Sequence, residues 1–148
     1  MDRKDFIKAC GMGCIGGMGF TLLQGCSITK KMLSGKIEGD NMIIPLSEFE
    51  TRNNRNIYLK KYIVAQNDLL QYPICIYRLN DNEYTALWMR CTHQGTELQV
   101  FGDKLQCPAH GSEFNNKGNV HNGPADQGLR TFPVIVENNK LIISLKAV

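Results

Sequence analysis

Beyond Met42 the chain is rich in short apolar runs of β-like character, broken by polar clusters. Met42–Leu46, Ile57–Val64, Tyr72–Leu79, Tyr84–Arg90, Leu98–Phe101, Lys104–Gln106, Thr131–Glu137 and Leu141–Leu145 read as strands. Asn80-Asp81-Asn82, Gly102-Asp103 and Asn138-Asn139 are the turn signals between them. One short helix is expected, at Leu46–Thr51. The pattern predicts an all-β fold, with Ile76, Tyr84, Leu87, Val134, Val136, Ile142 and Leu145 in the core and Trp88 buried in the strand that leads to Cys91.

The start of the chain is patterned differently. Arg3 and Lys4 precede an apolar, Gly-rich stretch from Ala9 to Leu23. A basic beginning followed by a short apolar region reads as an export signal. The stretch falls short of the roughly twenty residues that span a bilayer. Residues 26–40 are mostly polar and contain Gly35 and Gly39, so they read as a tether. The predicted organisation is therefore residues 1–25 as leader or anchor, 26–40 as tether and 41–148 as one folded domain.

At 148 residues there is room for one domain and no more. Without residues 1–25 the chain keeps 14 basic and 12 acidic residues, a net charge of +2. No Lys/Arg cluster with interleaved aromatics occurs, so nucleic acid is not an expected partner. Of six cysteines, Cys10, Cys14 and Cys26 lie in or beside the leader. Cys75 sits in the run Ile74-Cys75-Ile76-Tyr77, where a small buried thiol is the simplest reading.

Chemistry concentrates in two segments, Cys91-Thr92-His93-Gln94-Gly95 and Cys107-Pro108-Ala109-His110-Gly111-Ser112. Each supplies one thiolate and one imidazole, with 13 residues between His93 and Cys107. These four ligand types suit a structural zinc ion as well as an iron–sulfur cluster. The surroundings weigh toward iron and sulfur: a Gly comes within two residues after each His, and Gly123-Pro124-Ala125 comes downstream.

Together with Ser112, Phe114, Gly118, Leu129, Phe132 and Val134, this order of motifs resembles the Rieske [2Fe–2S] family from roughly Tyr84 to Val134. The resemblance implies stacked antiparallel sheets with a small cluster-binding subdomain built on two loops, here about residues 88–128. It implies a [2Fe–2S] cluster with Cys91 and Cys107 on one iron and His93 and His110 on the other. Gly95, Gly111, Ser112 and Pro124 would lie around it. Replacing two thiolates by two neutral imidazoles makes the core less negative and raises its potential.

Two departures from the quinol–cytochrome reductase members stand out. Their bracing disulfide would fall at Thr96 and Ala109, where none can form, and their Tyr donor to a cysteine sulfur is replaced by Phe114. Both changes imply an intermediate potential. In the quinol-oxidising relatives the role of meeting quinol would fall to His110, although Gln94 stands where they usually carry an apolar residue.

At the leader, Asp2-Arg3-Lys4-Asp5-Phe6-Ile7-Lys8 resembles a twin-arginine signal with Lys for the second Arg, and Leu23-Gln24-Gly25-Cys26 resembles a bacterial lipobox with Cys26 as the lipid-bearing residue. The alternative is a retained membrane anchor. Either reading places the domain in a bacterial cell envelope, tethered to a membrane and facing the periplasm. The expected function is electron transfer as the iron–sulfur subunit of a quinol–cytochrome-type oxidoreductase, with redox proteins (a cytochrome or oxidoreductase subunit) as partners and quinol as the candidate small-molecule partner. The alternatives are a ferredoxin-like carrier or small subunit of an arsenite-oxidase-type enzyme, and a zinc-bearing structural lipoprotein. No nucleophile–base pair marks the isolated chain as an enzyme. His121 reads as a surface loop residue.

Overall fold

A run such as Ile74-Cys75-Ile76-Tyr77, apolar at every position, needs cover on both faces of its sheet. The computed structural model, which describes residues 32–53 and 55–146, provides it. The strands are β1 (Leu33–Ser34), β2 (Lys36–Glu38), β3 (Asn41–Pro45), β4 (Glu50–Asn53), β5 (Asn56–Leu59), β6 (Tyr62–Gln66), β7 (Ile74–Arg78), β8 (Tyr84–Trp88), β9 (Gln99–Phe101), β10 (Lys104–Gln106), β11 (Glu113–Asn115), β12 (Val120–Asn122), β13 (Thr131–Phe132), β14 (Val134–Glu137) and β15 (Lys140–Ser144).

The central sheet has the order β1-β6-β7-β8-β13, flanked by a sheet β14-β15-β3-β2 and a sheet β12-β11-β10-β9. Almost all pairings are antiparallel, so the all-β expectation holds; β1 alone pairs parallel, with β6.

Successive residues of a strand point to opposite faces, and β7 shows the consequence. Ile74 and Ile76 enter one core with Met42, Ile44, Ile63, Ala65, Phe132, Leu141 and Ile143. Cys75 and Tyr77 enter a second core with Leu87, Leu98, Leu105 and Phe114. We call these core 1 and core 2. Core 2 also contains Cys91 and Cys107, so the two candidate thiolates are anchored in packed apolar structure.

The structure corrects several expectations. Leu33–Ser34 and Lys36–Glu38, read as tether, are strands whose Leu33 and Ile37 pack on core 1. Gly35 between them is a close approach: a Cβ there would meet the Met42 sulfur at 2.7 Å. The run Ile57–Val64 is two strands, because β4 and β5 form a separate hairpin before β6 begins. Thr131–Glu137 is also two strands. Pro133, which lacks an N–H, stands where the chain passes from β8's neighbour β13 to β15's neighbour β14.

The expected helix is a single 3₁₀ turn, Leu46–Phe49. On β15 Leu141 and Ile143 are buried and Ile142, expected in the core, lies between them facing outward, while Leu145, also expected there, packs on core 1. Val136 is exposed on the edge strand β14. Trp88 is half-buried rather than enclosed.

The described residues form one compact unit. The leader, Cys26 and the beginning of the expected tether lie outside the described residues. Among the described residues no helix is long and apolar enough to cross a membrane.

Candidate metal centre

The two Cys/His segments fold as near-copies of one another. In the first, the Gly95 N–H donates to the Cys91 carbonyl at 2.8 Å and the Cys91 N–H donates to the Thr96 carbonyl at 2.9 Å. In the second, the Gly111 N–H donates to the Cys107 carbonyl at 3.0 Å and the Cys107 N–H to the Ser112 carbonyl at 2.8 Å. Each loop thus closes on its own cysteine, with the glycine four residues later.

That glycine is required by backbone conformation: φ is +75° at Gly95 and +77° at Gly111, a region that other L-residues seldom occupy. The first loop is carried by the Arg90↔Glu97 bridge, and the second by the β10–β11 ladder with Gln106↔Glu113. Gly123 does not have positive φ, and a Cβ there would come no nearer than 3.5 Å to the Ala125 backbone.

A third segment, Gly123–Gly128, fastens the loops. The Ala125 N–H donates to the Ser112 hydroxyl at 3.0 Å, and Ser112 is fully buried. The Thr92 hydroxyl donates to the Gln127 carbonyl at 2.7 Å. Pro124 is exposed on this segment. Behind it, the Leu129 N–H donates to the Gly118 carbonyl at 2.8 Å, and a Cβ on Gly128 would lie 2.9 Å from that same oxygen. Thr92, Gln127 and the Gly118–Gly128 contact were not legible in the sequence, because each depends on segments that meet only after folding.

The four candidate ligands are brought to one place. Cys91 and Cys107 are buried, 1% and 2% exposed. The imidazoles of His93 and His110 stand edge to face with ring centroids 5.0 Å apart and planes at 89°. His110 is exposed and His93 half-buried.

The Cys107 thiol lies below its ordinary pKa. Burial works to raise it, but the backbone N–H groups of His110 and Ala109 and the side chains of Cys91 and Thr96 outweigh that effect. A site that favours thiolate at low cost suits metal coordination. His121 is exposed on β12 and takes no part.

One atom tests whether this site fits a bound metal centre. The Nδ1 of His93 is sealed from solvent and has no hydrogen-bond partner among the described residues. An unpaired buried polar atom costs about 1–3 kcal/mol, and a metal bond at that nitrogen would remove the penalty. A two-metal cluster asks for only two protein donors per metal, which is the arrangement of two thiols and two imidazoles present.

Comparison with known proteins agrees with this geometry. The Rieske [2Fe-2S] domain model matches residues 51–133. The cytochrome b6-f complex iron-sulfur subunit of Chlorobaculum tepidum is 28% identical over 81 residues, which is 47% of this chain and 45% of that protein. The oxygenase component of dicamba O-demethylase from Stenotrophomonas maltophilia is 38% identical over 84 residues, 50% of this chain and 24% of that protein. Among solved structures, the plasma membrane Rieske protein PetC3 of Synechocystis PCC 6803 superposes with a TM-score of 0.50 at 26% identity, covering 57% of this chain and 86% of that one. The chain spans less than half the length of these two sequence relatives.

Proposed function

The chain belongs to the Rieske [2Fe–2S] domain family, whose members bind a [2Fe–2S] cluster, and from that premise we propose that Cys91 and Cys107 hold one iron and His93 and His110 the other. The observation that carries the assignment is the orphaned, buried Nδ1 of His93 beside two buried thiols and a second imidazole. When bound, such a cluster accepts and releases one electron at a time.

The residues around the cluster then divide the work. Cys91 and Cys107 hold their iron from inside core 2, away from water. His110, exposed at the tip of the second loop, presents an imidazole to an incoming partner. Ser112 accepts from Ala125 through its oxygen, and its own O–H would be a donor available to a bound cluster.

Electron transfer as the iron–sulfur subunit of a quinol–cytochrome-type oxidoreductase is the reading best supported, since the relatives include several cytochrome b6-f complex iron-sulfur subunits. Phe114 and the Thr96/Ala109 pair favour an intermediate potential. They also keep a second reading in play, a ferredoxin-like carrier or the small subunit of another exported oxidoreductase. The similarity to an oxygenase component supports that second reading. A lipid on Cys26 or a retained anchor would attach the domain to a membrane on its periplasmic side.

Anaerobic purification of the full chain tests the core of this proposal. Two irons and two sulfides per chain, with a reduced-state EPR signal, are expected; a colourless protein with one zinc ion would reject it. Reduction by a quinol and reoxidation by a cytochrome separate the first reading from the second. Mass spectrometry of the mature N-terminus decides the anchor: diacylglyceryl-Cys26 or an intact beginning.

A further inference from the structure

The first ligand loop is gripped from outside by a residue that belongs to neither Cys/His segment. The Tyr72 hydroxyl donates to the Gly95 carbonyl at 2.6 Å, across 23 positions of sequence. That is a short, well-formed O–H···O bond. The Tyr72 ring in turn meets Trp88 edge to face, with centroids 5.4 Å apart and planes at 89°.

Trp88 carries the guanidinium of Arg90 at 5.7 Å and that of Arg130 at 5.6 Å. Arg90 completes the grip, because its guanidinium nitrogens lie 3.4 Å from where a Cβ on Gly95 would be. Arg130 ties the assembly to the sandwich, stacking over Phe132 at 4.7 Å and donating to the Leu145 and Lys146 carbonyls.

The second loop has no such grip at the matching position. A Cβ on Gly111 would meet nothing within 4 Å, and that loop is fastened instead through Ser112 and Ala125. Nor can a covalent cross-link join the loops at positions 96 and 109, which are Thr and Ala.

We propose that Tyr72 is a positioning residue for the metal centre: its hydroxyl fixes the Gly95–Thr96 peptide, and so holds Cys91 and His93 ready for ligation without a disulfide. The inference rests on the cluster reading above. Two of the loop's closing bonds run directly through the gripped residues, Gly95 N–H to Cys91 and Cys91 N–H to Thr96. Loosening Gly95 therefore loosens the cysteine. It also leaves the negative end of the Gly95 carbonyl uncompensated beside the ligands, which favours the more positive, oxidised state.

Tyr72→Phe in the full chain removes only the hydroxyl and keeps the ring on Trp88. For a hydrogen bond of ordinary net strength, about a fivefold effect is expected. Cluster bleaching under chelator should accelerate by that factor, and the midpoint potential should fall. In the same purified full chain, exchange of the Cys91 and Gly95 amides should accelerate similarly while amides of β7 and β15 do not change.

Unchanged bleaching, potential and loop exchange would overturn the proposal. So would a loss of protection in β7 and β15 equal to that in the loop, since Tyr72 would then serve the whole fold. A wild-type chain that binds no cluster would sink the cluster reading, and the exchange arm would still decide whether Tyr72 braces the loop.

Discussion

Core 1 and core 2 lie on opposite faces of one sheet, yet they are completed by different means. Core 1 is closed by its own apolar side chains, among them Met42, Ile44, Phe49, Ile76, Leu141 and Ile143, all but inaccessible to solvent. Core 2 has Leu87, Leu98, Leu105 and Phe114 at its centre, but two thiols at its rim and an unpartnered imidazole nitrogen beside them. The first is satisfied by packing alone. The second carries at its rim a buried imidazole nitrogen that a bound metal would satisfy, so its loops should be coupled to ligand occupancy while core 1 is not.

Leu141→Ala should separate the two most forcefully. Leu141 is fully buried in core 1, and truncation of such a residue costs about 2–5 kcal/mol. A large drop in the urea midpoint is expected, with iron per folded molecule unchanged. If iron content falls in the folded fraction, the two cores are not separable.

Ser112→Ala acts on the other side of the sheet. It strips the buried Ala125 N–H of its acceptor, a loss of about 1–3 kcal/mol. The effect should be concentrated in the third segment, so amide exchange at Ala125 should accelerate far more than exchange in β15. Equal acceleration in both would show that core 2 and core 1 open together.

Gly111→Val and Gly102→Val make a matched pair. Both glycines have positive φ, +77° and +62°, and a Cβ at either meets nothing within 4 Å. The cost at each is backbone strain alone, about 1–2 kcal/mol. Similar small decreases in melting temperature are expected, but only the Gly111 variant should lose iron. Equal iron content in the two would mean that the second loop need not hold its left-handed turn to bind the cluster.

How much of this was readable from the chain follows the same division. The four candidate ligands and the glycines at 95 and 111 could be picked out because their spacing is local and each loop closes on itself. Strands buried on both faces, such as β7, were legible as unbroken apolar runs. What escaped was whatever depends on a partner distant in sequence.

The strands at residues 33–38 look like a polar tether because only Leu33 and Ile37 face core 1. The parity of β15 was misread because Leu141, Ile142 and Ile143 are all apolar, and only the pairing with β3 decides which of them is buried. Tyr72 carries no local mark of its bond to Gly95. Even β11 and β12, which follow the second loop, are three residues each and hidden among Asn and Gly.

The smallest effect at neutral pH belongs to Cys75, and it measures how dry core 2 is. Burial pushes its thiol up to about 12 from an ordinary 9.0, with a smaller opposing contribution from Tyr77. The folded chain therefore keeps a proton that the unfolded chain loses as pH rises past 9.0. The stability tied to this thiol is complete below pH 9 and declines as pH climbs toward 12. Tyr77 is raised as well, by burial first and then by the neighbouring Cys75 charge, so the titration belongs to the pair. Urea midpoints of the wild type and Cys75→Ala should differ by a constant amount up to about pH 9, and the wild type should then lose its advantage by pH 10.5. A constant difference across the whole range would mean that the thiol titrates as if solvated. Core 2 would then admit water between β7 and the cluster loops, and its contrast with core 1 would extend from the rim to the centre.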